Sequence, residues 1–371
     1  MAVYTAIDNP EEYFNSVVFT GDVVDGDGTN HDQAITGAGH QPDLAWLKGV
    51  SASRSHLLVD SVRGSSSWNT LTTPSTQAEV TTNTNGSIKS LDSDGFTLSS
   101  GDDSSSRANN SCANGEKYIV WCWKGGTTGS GTTTGSGTGK AYSYSVNTTS
   151  GTSIVKWVGN GTSGHTIPHQ LGAVPQTIIM KNRDNNITWI VGHKKAAFTN
   201  ILFMPALDAA TDDANAFADT DPTSTVWTMG TGNGGNDDDV NYVGYAFAEK
   251  QGFSKFGSYE GNGSTTATGG PFIYLGFEPS LIWIKNADSN TNWELFSNKV
   301  ITAGYPAEMH HHVGNAPSTP PGDRRLLMKS NGFKIDTTLA APVNASGETF
   351  LYWAWAENPF VNSNGVPCNA V

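Results

Sequence analysis

One ten-residue phrase occurs three times in this chain: Gly39-His-Gln-Pro42-Asp-Leu-Ala-Trp46-Leu-Lys48, Gly172-Ala-Val-Pro175-Gln-Thr-Ile-Ile-Met-Lys181 and Gly276-Phe-Glu-Pro279-Ser-Leu-Ile-Trp283-Ile-Lys285. Gly permits positive φ, and Pro fixes φ while lacking an N–H, so the pair reads as a turn feeding the first position of a strand. In the third copy Leu281, Ile282, Trp283 and Ile284 put apolar groups on both faces, which suits a central strand covered on each side. The closing Lys is expected to keep its ammonium in water.

A second set of phrases keeps step with the first. Tyr118-Ile-Val-Trp121-Cys122-Trp123, Tyr242-Val-Gly-Tyr245-Ala246-Phe247 and Phe350-Leu-Tyr-Trp353-Ala354-Trp355 close the three units. Alternate residues of a strand share a face, so Trp121/Trp123, Tyr245/Phe247 and Trp353/Trp355 fall on one side and Cys122, Ala246 and Ala354 on the other. Cys122 then stands at an Ala position as a small apolar filler. Likewise His56 stands eight residues after its Lys, where the sister units carry Trp189 and Trp293, and reads as a space-filler. Units two and three open on strands ending in Gly159-Asn-Gly161 and Gly261-Asn-Gly263, with Gly28 taken as the first unit's counterpart.

With 42 Gly, abundant Ser, Thr, Asn and Asp, and no long segment of 3.6-residue period, the composition is all-β. A repeat of roughly a hundred residues with many short strands predicts three consecutive jelly-roll or β-sandwich domains. The division is an N-terminal segment 1–16, sandwiches at 17–126, 141–250 and 251–359, a Gly/Ser/Thr-rich connector at 127–140 and a tail at 360–371. Tyr13 and Phe14 equip the first segment either to mount the protein on a partner or to form the first edge of domain one. Seven Asn-Gly pairs, Asn160-Gly161, Asn262-Gly263 and Asn331-Gly332 among them, predict tight hairpin turns.

The net charge of −13, from 21 basic and 34 acidic residues, argues against a nucleic-acid or anionic-lipid partner. No apolar run reaches the length of a membrane helix, and the start lacks the pattern of a secretory signal, so the product is expected to be soluble where it is made. Three Cys make no disulfide framework.

Candidate chemistry is sparse, and no catalytic, cofactor-binding or metal residue is expected. His310-His311-His312 lacks a second ligand cluster, and Asp22/Asp25/Asp27 and Asp237-Asp238-Asp239 lack the spacing of a calcium loop. Glu249 and Glu357 end two closing strands, where a polysaccharide hydrolase would need a second carboxylate. Trp68, Trp227 and Tyr305 lie in polar stretches and are candidate glycan contacts by ring stacking, with capping of the sandwich ends as the other reading.

The first phrase, the segment Ser55-His56-Leu57-Leu58-Val59-Asp60-Ser61-Val62-Arg63-Gly64, the strand Asp92-Ser-Asp-Gly95-Phe96, the close Tyr118 to Lys124 and the opening Ile7-Asp8-Asn9-Pro10 together carry a resemblance. They resemble a domain of unknown function that recurs in virion structural proteins, of head- or tail-fibre type, of marine and aquatic tailed bacteriophages. The resemblance implies lectin-like sandwiches displayed on the virion surface after synthesis in the host cytoplasm. The implied partners are other virion proteins, copies of itself (a trimer fits) and host-surface glycans. A glycan-binding adhesin without a structural role and a polysaccharide hydrolase are the alternatives.

Overall fold

The computed structural model describes residues 4–24, 31–64, 69–73, 75–81, 85–101, 111–232, 234–266, 269–302, 305–307, 309–310, 326–335 and 342–368. Strand accounts for 48% and helix for 3%, so the chain is all-β, with several antiparallel sheets.

Three large sheets repeat one lateral order. In unit one the opening strand Phe14–Thr20 lies beside the closing strand Lys117–Trp123, then Leu44–Gly49, Leu57–Asp60 and Leu71–Thr72. Unit two places Thr152–Val158, Asn241–Phe247, Thr177–Asn182, Trp189–His193 and Asn200–Met204 in the same sequence. Unit three does so with Ser254–Glu260, Thr349–Pro359, Phe277–Asn286, Trp293–Ser297 and Met309–His310. A three-stranded sheet covers one face of each: Asp32–Thr36, Gly95–Ser99 and Ser87–Asp92 in unit one, and Phe272–Tyr274, Gly332–Ile335 and Leu326–Lys329 in unit three. In unit two it comprises Thr134–Gly135, His165–Pro168 and Val226–Met229.

The repeated phrase behaves as its chemistry requires. Gly39, Gly172 and Gly276 have positive φ, at 78, 67 and 84°. Pro42 and Pro175 precede their strands, and Pro279 sits at a register shift, where its missing N–H breaks no ladder. The Gly-Asn-Gly ends make side-chain turns instead of hairpins: Asn160 Nδ2 donates to the carbonyls of Ser136 and Thr138, and its Oδ1 accepts from Thr162 N. Asn262 does the same with Gly269 and Ser264. The structural counterpart of Gly159 and Gly261 is Gly21, which follows the opening strand directly, while Gly28 lies outside the described residues.

The closing strands are buried on both faces, and the two faces serve different purposes. Tyr118, Val120 and Cys122 point into unit one's own sandwich with Phe96 and Leu98. Ala246 meets Ile167, Trp227 and Met229, and Ala354 meets Phe333 and Ile335. The aromatic faces turn the other way and merge into one core common to all three units. At its centre Trp123, Phe247 and Trp355 form a triangle, one ring from each closing strand, with centroids 6.2, 5.3 and 5.3 Å apart. Trp46 and Trp283 meet edge to face at 4.7 Å. The sequence predicted three sandwiches in a row; the chain folds them around a shared axis. A void of about 20 Å³, roughly one water's worth of space, remains among these rings.

The repeated lysines are a correction. Lys48, Lys181 and Lys285 are each 0% exposed. Lys181 Nζ donates to the carbonyls of Thr76, Asn182 and Ile187, and Lys285 Nζ to those of Leu207 and Asn286. Thr76 belongs to unit one and Leu207 to unit two, so each cation captures an arm of the preceding unit. The arms repeat in detail, with Ala78 N donating to Asn186 Oδ1 and Ala209 N to Asn290 Oδ1. Lys48 Nζ donates to Arg54 O. Carbonyl dipoles stand in for the water that the ammonium was expected to keep.

The remaining segments dock on the same body. The connector 127–140 contains the strands Thr127–Thr132 and Thr134–Gly135 and is part of unit two. Ladder pairing to Ala141–Asn147 holds a Gly/Ser/Thr segment whose composition alone reads as a linker. The N-terminal aromatics are spent within the chain: Phe14 stacks 5.9 Å from Trp355, Tyr13 lies 6.3 Å from Phe253, and Tyr4 Oη donates to Gly276 O. In the tail, Ser363 N donates to Asp8 Oδ1, which ties the two ends together.

Two outcomes follow from the shared core. Trp355→Ala is expected to cost about 3–5 kcal/mol and to lower the urea midpoint of the whole chain in one transition. Separate transitions for the three units would contradict a common core. Stability is also expected to climb with pH in two windows. Burial pushes Lys48 down to about 7, Lys181 and Lys285 to about 8, His169 to about 4 and His193 to about 3. Between these values and the unfolded ones, about 10.4 for Lys and 6.5 for His, the unfolded chain binds more protons, so raising pH favours the fold. Cys122, Tyr118 and Tyr352 are shifted up by burial, so the unfolded chain ionises first above about pH 9 and the trend reverses. Melting temperatures should therefore rise from pH 4 through 6.5 and again from about 7 to 9, then fall.

Candidate functional site

The pseudo-threefold pattern is broken most clearly in unit two. Strands Ala141–Asn147 and Thr127–Thr132 extend its large sheet beyond Thr152–Val158, and with Thr211–Asp212 at the opposite edge the sheet has eight strands. The outermost strand alternates Gly with hydroxyl residues for a steric reason. A Cβ on Gly129 would lie 2.5 Å from Tyr144 Oη, and one on Gly131 2.9 Å from the Tyr142 ring. The two tyrosine rings cover these glycines and stack 6.2 Å apart on the outer face.

The other face of the extension looks toward unit one and floors a cleft. Ladder pairing sets Ser130, Ser143 and Lys156 side by side, and Thr132, Ala141, Val158 and Asn241 in the next row. Gln41, Asp43, Ser61 and Val62 of unit one form the facing wall at one end, and Arg183 bounds the other. The cleft comprises two adjoining hollows of about 560 and 350 Å³, which share Ser130 and Ser143. This is the size range of small-molecule sites.

Behind the cleft, a buried ionic network joins units one and two. Arg63 is fully buried, with Nε 2.5 Å from Asp60 Oδ2 and Nη1 2.5 Å from Glu79 Oε1. It also donates to the carbonyls of Asn69 and Leu58. Glu79 accepts from Arg183 at 2.6 Å, and Tyr245 Oη donates to Asp60 Oδ2 at 2.7 Å. Asp60 and Arg63 belong to the stretch Ser55 to Gly64 that was singled out in the sequence, so its acidic and basic residues are structural. At the far end, Asp43 accepts from Ser61 Oγ, Ser145 Oγ and Gly125 N. Burial, together with the nearby Arg183 charge, holds the Lys156 pKa below its ordinary value.

The residues picked out as glycan contacts are not in this cleft. Trp227 is 0% exposed, with its ring 5.6 Å from Trp157, stacked on His169 at 6.0 Å, and its Nε1 directed at Met229 Sδ. It is core, because its strand Val226–Met229 lies in the covering sheet with alternate residues turned inward. Trp68 lies outside the described residues, and of Tyr305 only the backbone pairing with Thr302 is described. His311, His312, Asp25 and Asp27 also fall outside. Among the described residues no cluster of His, Cys, Asp and Glu could hold a metal. Asp238 and Asp239 pair with Lys140.

His56 is buried 5.7 Å from the Trp46 ring, and Cys122 is buried with its thiol pKa raised. Glu357 is held by Lys299. Glu278 is shifted up by burial and by the Glu357 charge, but neither carboxylate lines the cleft. The cleft residues carried no motif. Their only trace was the run of Gly and Ser with Tyr142 and Tyr144 after it, which alternates as a strand does.

A family model described as a domain of unknown function (DUF7483) matches residues 9–359. No curated protein matches the chain, and no solved structure does. The match runs through all three units and the extension alike.

Arg63→Met is expected to destabilise the chain by about 3–5 kcal/mol, because Asp60 and Glu79 would be left buried beside the cleft without their cation. Urea unfolding followed by tryptophan fluorescence measures this. A loss below about 1 kcal/mol would mean that the network is solvated and does not join the units.

Proposed function

We propose that this chain, which belongs to the DUF7483 family, is a structural protein displayed on the surface of a tailed-bacteriophage particle and contacts host-surface glycans. The residues of the repeated phrase, of Ser55 to Gly64 and of the closing strands support this by their resemblance to domains of virion proteins. The observation that carries the reading is the arrangement of three sandwiches around the Trp123–Phe247–Trp355 triangle. One chain then presents the near-threefold shape that other oligomers reach with three copies, and such a body suits a symmetric mount on a particle. The common apolar core resists dissociation on dilution, which a decoration or short-fibre protein outside the cell requires. Many copies on one particle would let weak glycan contacts add.

A glycan-binding adhesin without a structural role shares the polar cleft but not the particle. Mass spectrometry of purified particles, with immunogold imaging against this protein, separates the two. The expected result is recovery of the chain in particles at fixed stoichiometry, with label at one position on head or tail. Recovery from lysate but not from particles overturns the virion reading.

A further inference from the structure

The opening strand of unit two, against which the extension pairs, carries something at one position that the other units lack. Lys156 pairs with Val243 in the ladder, and the residues at the corresponding register are Val18 in unit one and Ser258 in unit three. The cation is thus particular to the cleft.

Charge accounting around it is uneven. The charged groups that Lys156 faces are Arg183, Asp60, Glu79 and Arg63. Asp60 and Glu79 are taken up by Arg63 and Arg183. Among the described residues Lys156 has no hydrogen-bond or ion-pair partner, although it is half-buried at the cleft floor. An ammonium in that position is partly desolvated and open to an anion that enters the cleft.

Beside it the floor offers hydroxyls. Ser143 and Ser130 continue the row at the strand spacing of about 4.8 Å, and each can both donate and accept. Asp43 at the opposite end would repel a second carboxylate, whereas with Gln41 it can accept and donate to neutral hydroxyls.

We propose that the cleft between units one and two binds a saccharide in which one carboxylate-bearing sugar adjoins a neutral one, with Lys156 pairing the carboxylate and Ser143 and Ser130 the hydroxyls. This rests on the glycan-contact part of the reading above and assigns it a site and a ligand class. The partner is a uronic-acid-type disaccharide unit, and the hydroxyl row gives it orientation.

The test uses the full chain with cellobiouronic acid, a glucuronic acid linked to glucose, and with neutral cellobiose, by calorimetry or by chemical-shift titration. The acidic disaccharide is expected to bind at least about tenfold more tightly, a difference of about 1.4 kcal/mol. Lys156→Gln should abolish that preference and Lys156→Arg should retain it. Lys329→Gln, a change at an exposed lysine on the covering sheet of unit three, should leave it unaltered. Equal affinity for the two sugars, no binding of either at millimolar concentration, or a preference that persists in a folded Lys156→Gln protein overturns the proposal. Because particle recovery does not depend on these titrations, either result can fail alone: a chain found in particles but blind to both sugars removes the site and leaves the virion reading standing.

Discussion

Three rings meeting on one axis, Trp123, Phe247 and Trp355, are the contact on which the remaining architecture depends. A two-sheet sandwich needs only one apolar face per sheet, and the second would normally face water. Here the second face of every large sheet is aromatic, and each unit alone would expose it. Bringing the three faces together removes that area from water. Aromatic pairs at these distances add about 0.5–1.5 kcal/mol each beyond burial. Fusion in one chain makes the association intramolecular, so it carries no dependence on concentration.

Close approach around the axis imposes a cost at its rim, where polar strand ends are also buried. Each unit meets it in the same place, with the lysine that ends the repeated phrase. Lys181 and Lys285 are solvated by backbone carbonyls of the neighbouring arm. Between units one and two an ionic network is added, since Arg183 and Glu79 stand where the next join has Ala287 and Ala210. That join is where the hairpin extends the sheet and opens the cleft. Among the described residues, the hairpin and the ionic network set this join apart from the one between units two and three.

Much of this was readable in residue types. Positive φ at Gly39, Gly172 and Gly276, the strand that follows each Pro, the alternation in the closing strands and the filler role of Cys122 follow from local sterics and period. The errors share a cause. A residue's own polarity or flexibility places Lys48 and its sisters in water, Trp227 in a loop and residues 127–140 in a linker. What reversed them was a partner distant in sequence: an arm of the preceding unit, the covering sheet, and the strand Ala141–Asn147.

The order of residues alone determined that the chain is all-β, that one pattern is written three times, and which residues on each closing strand share a face. Local backbone preference and side-chain alternation act within a few residues, so they survive in one dimension. Only the tertiary structure decided which of the two apolar faces belongs to a unit's own sandwich and which to its neighbours, and that Lys156 stands beside Ser143 and Ser130 with no ion-pair partner among the described residues. Those outcomes depend on how large surfaces fit and on which charges find partners across the joins, and neither is a property of any stretch of sequence taken alone.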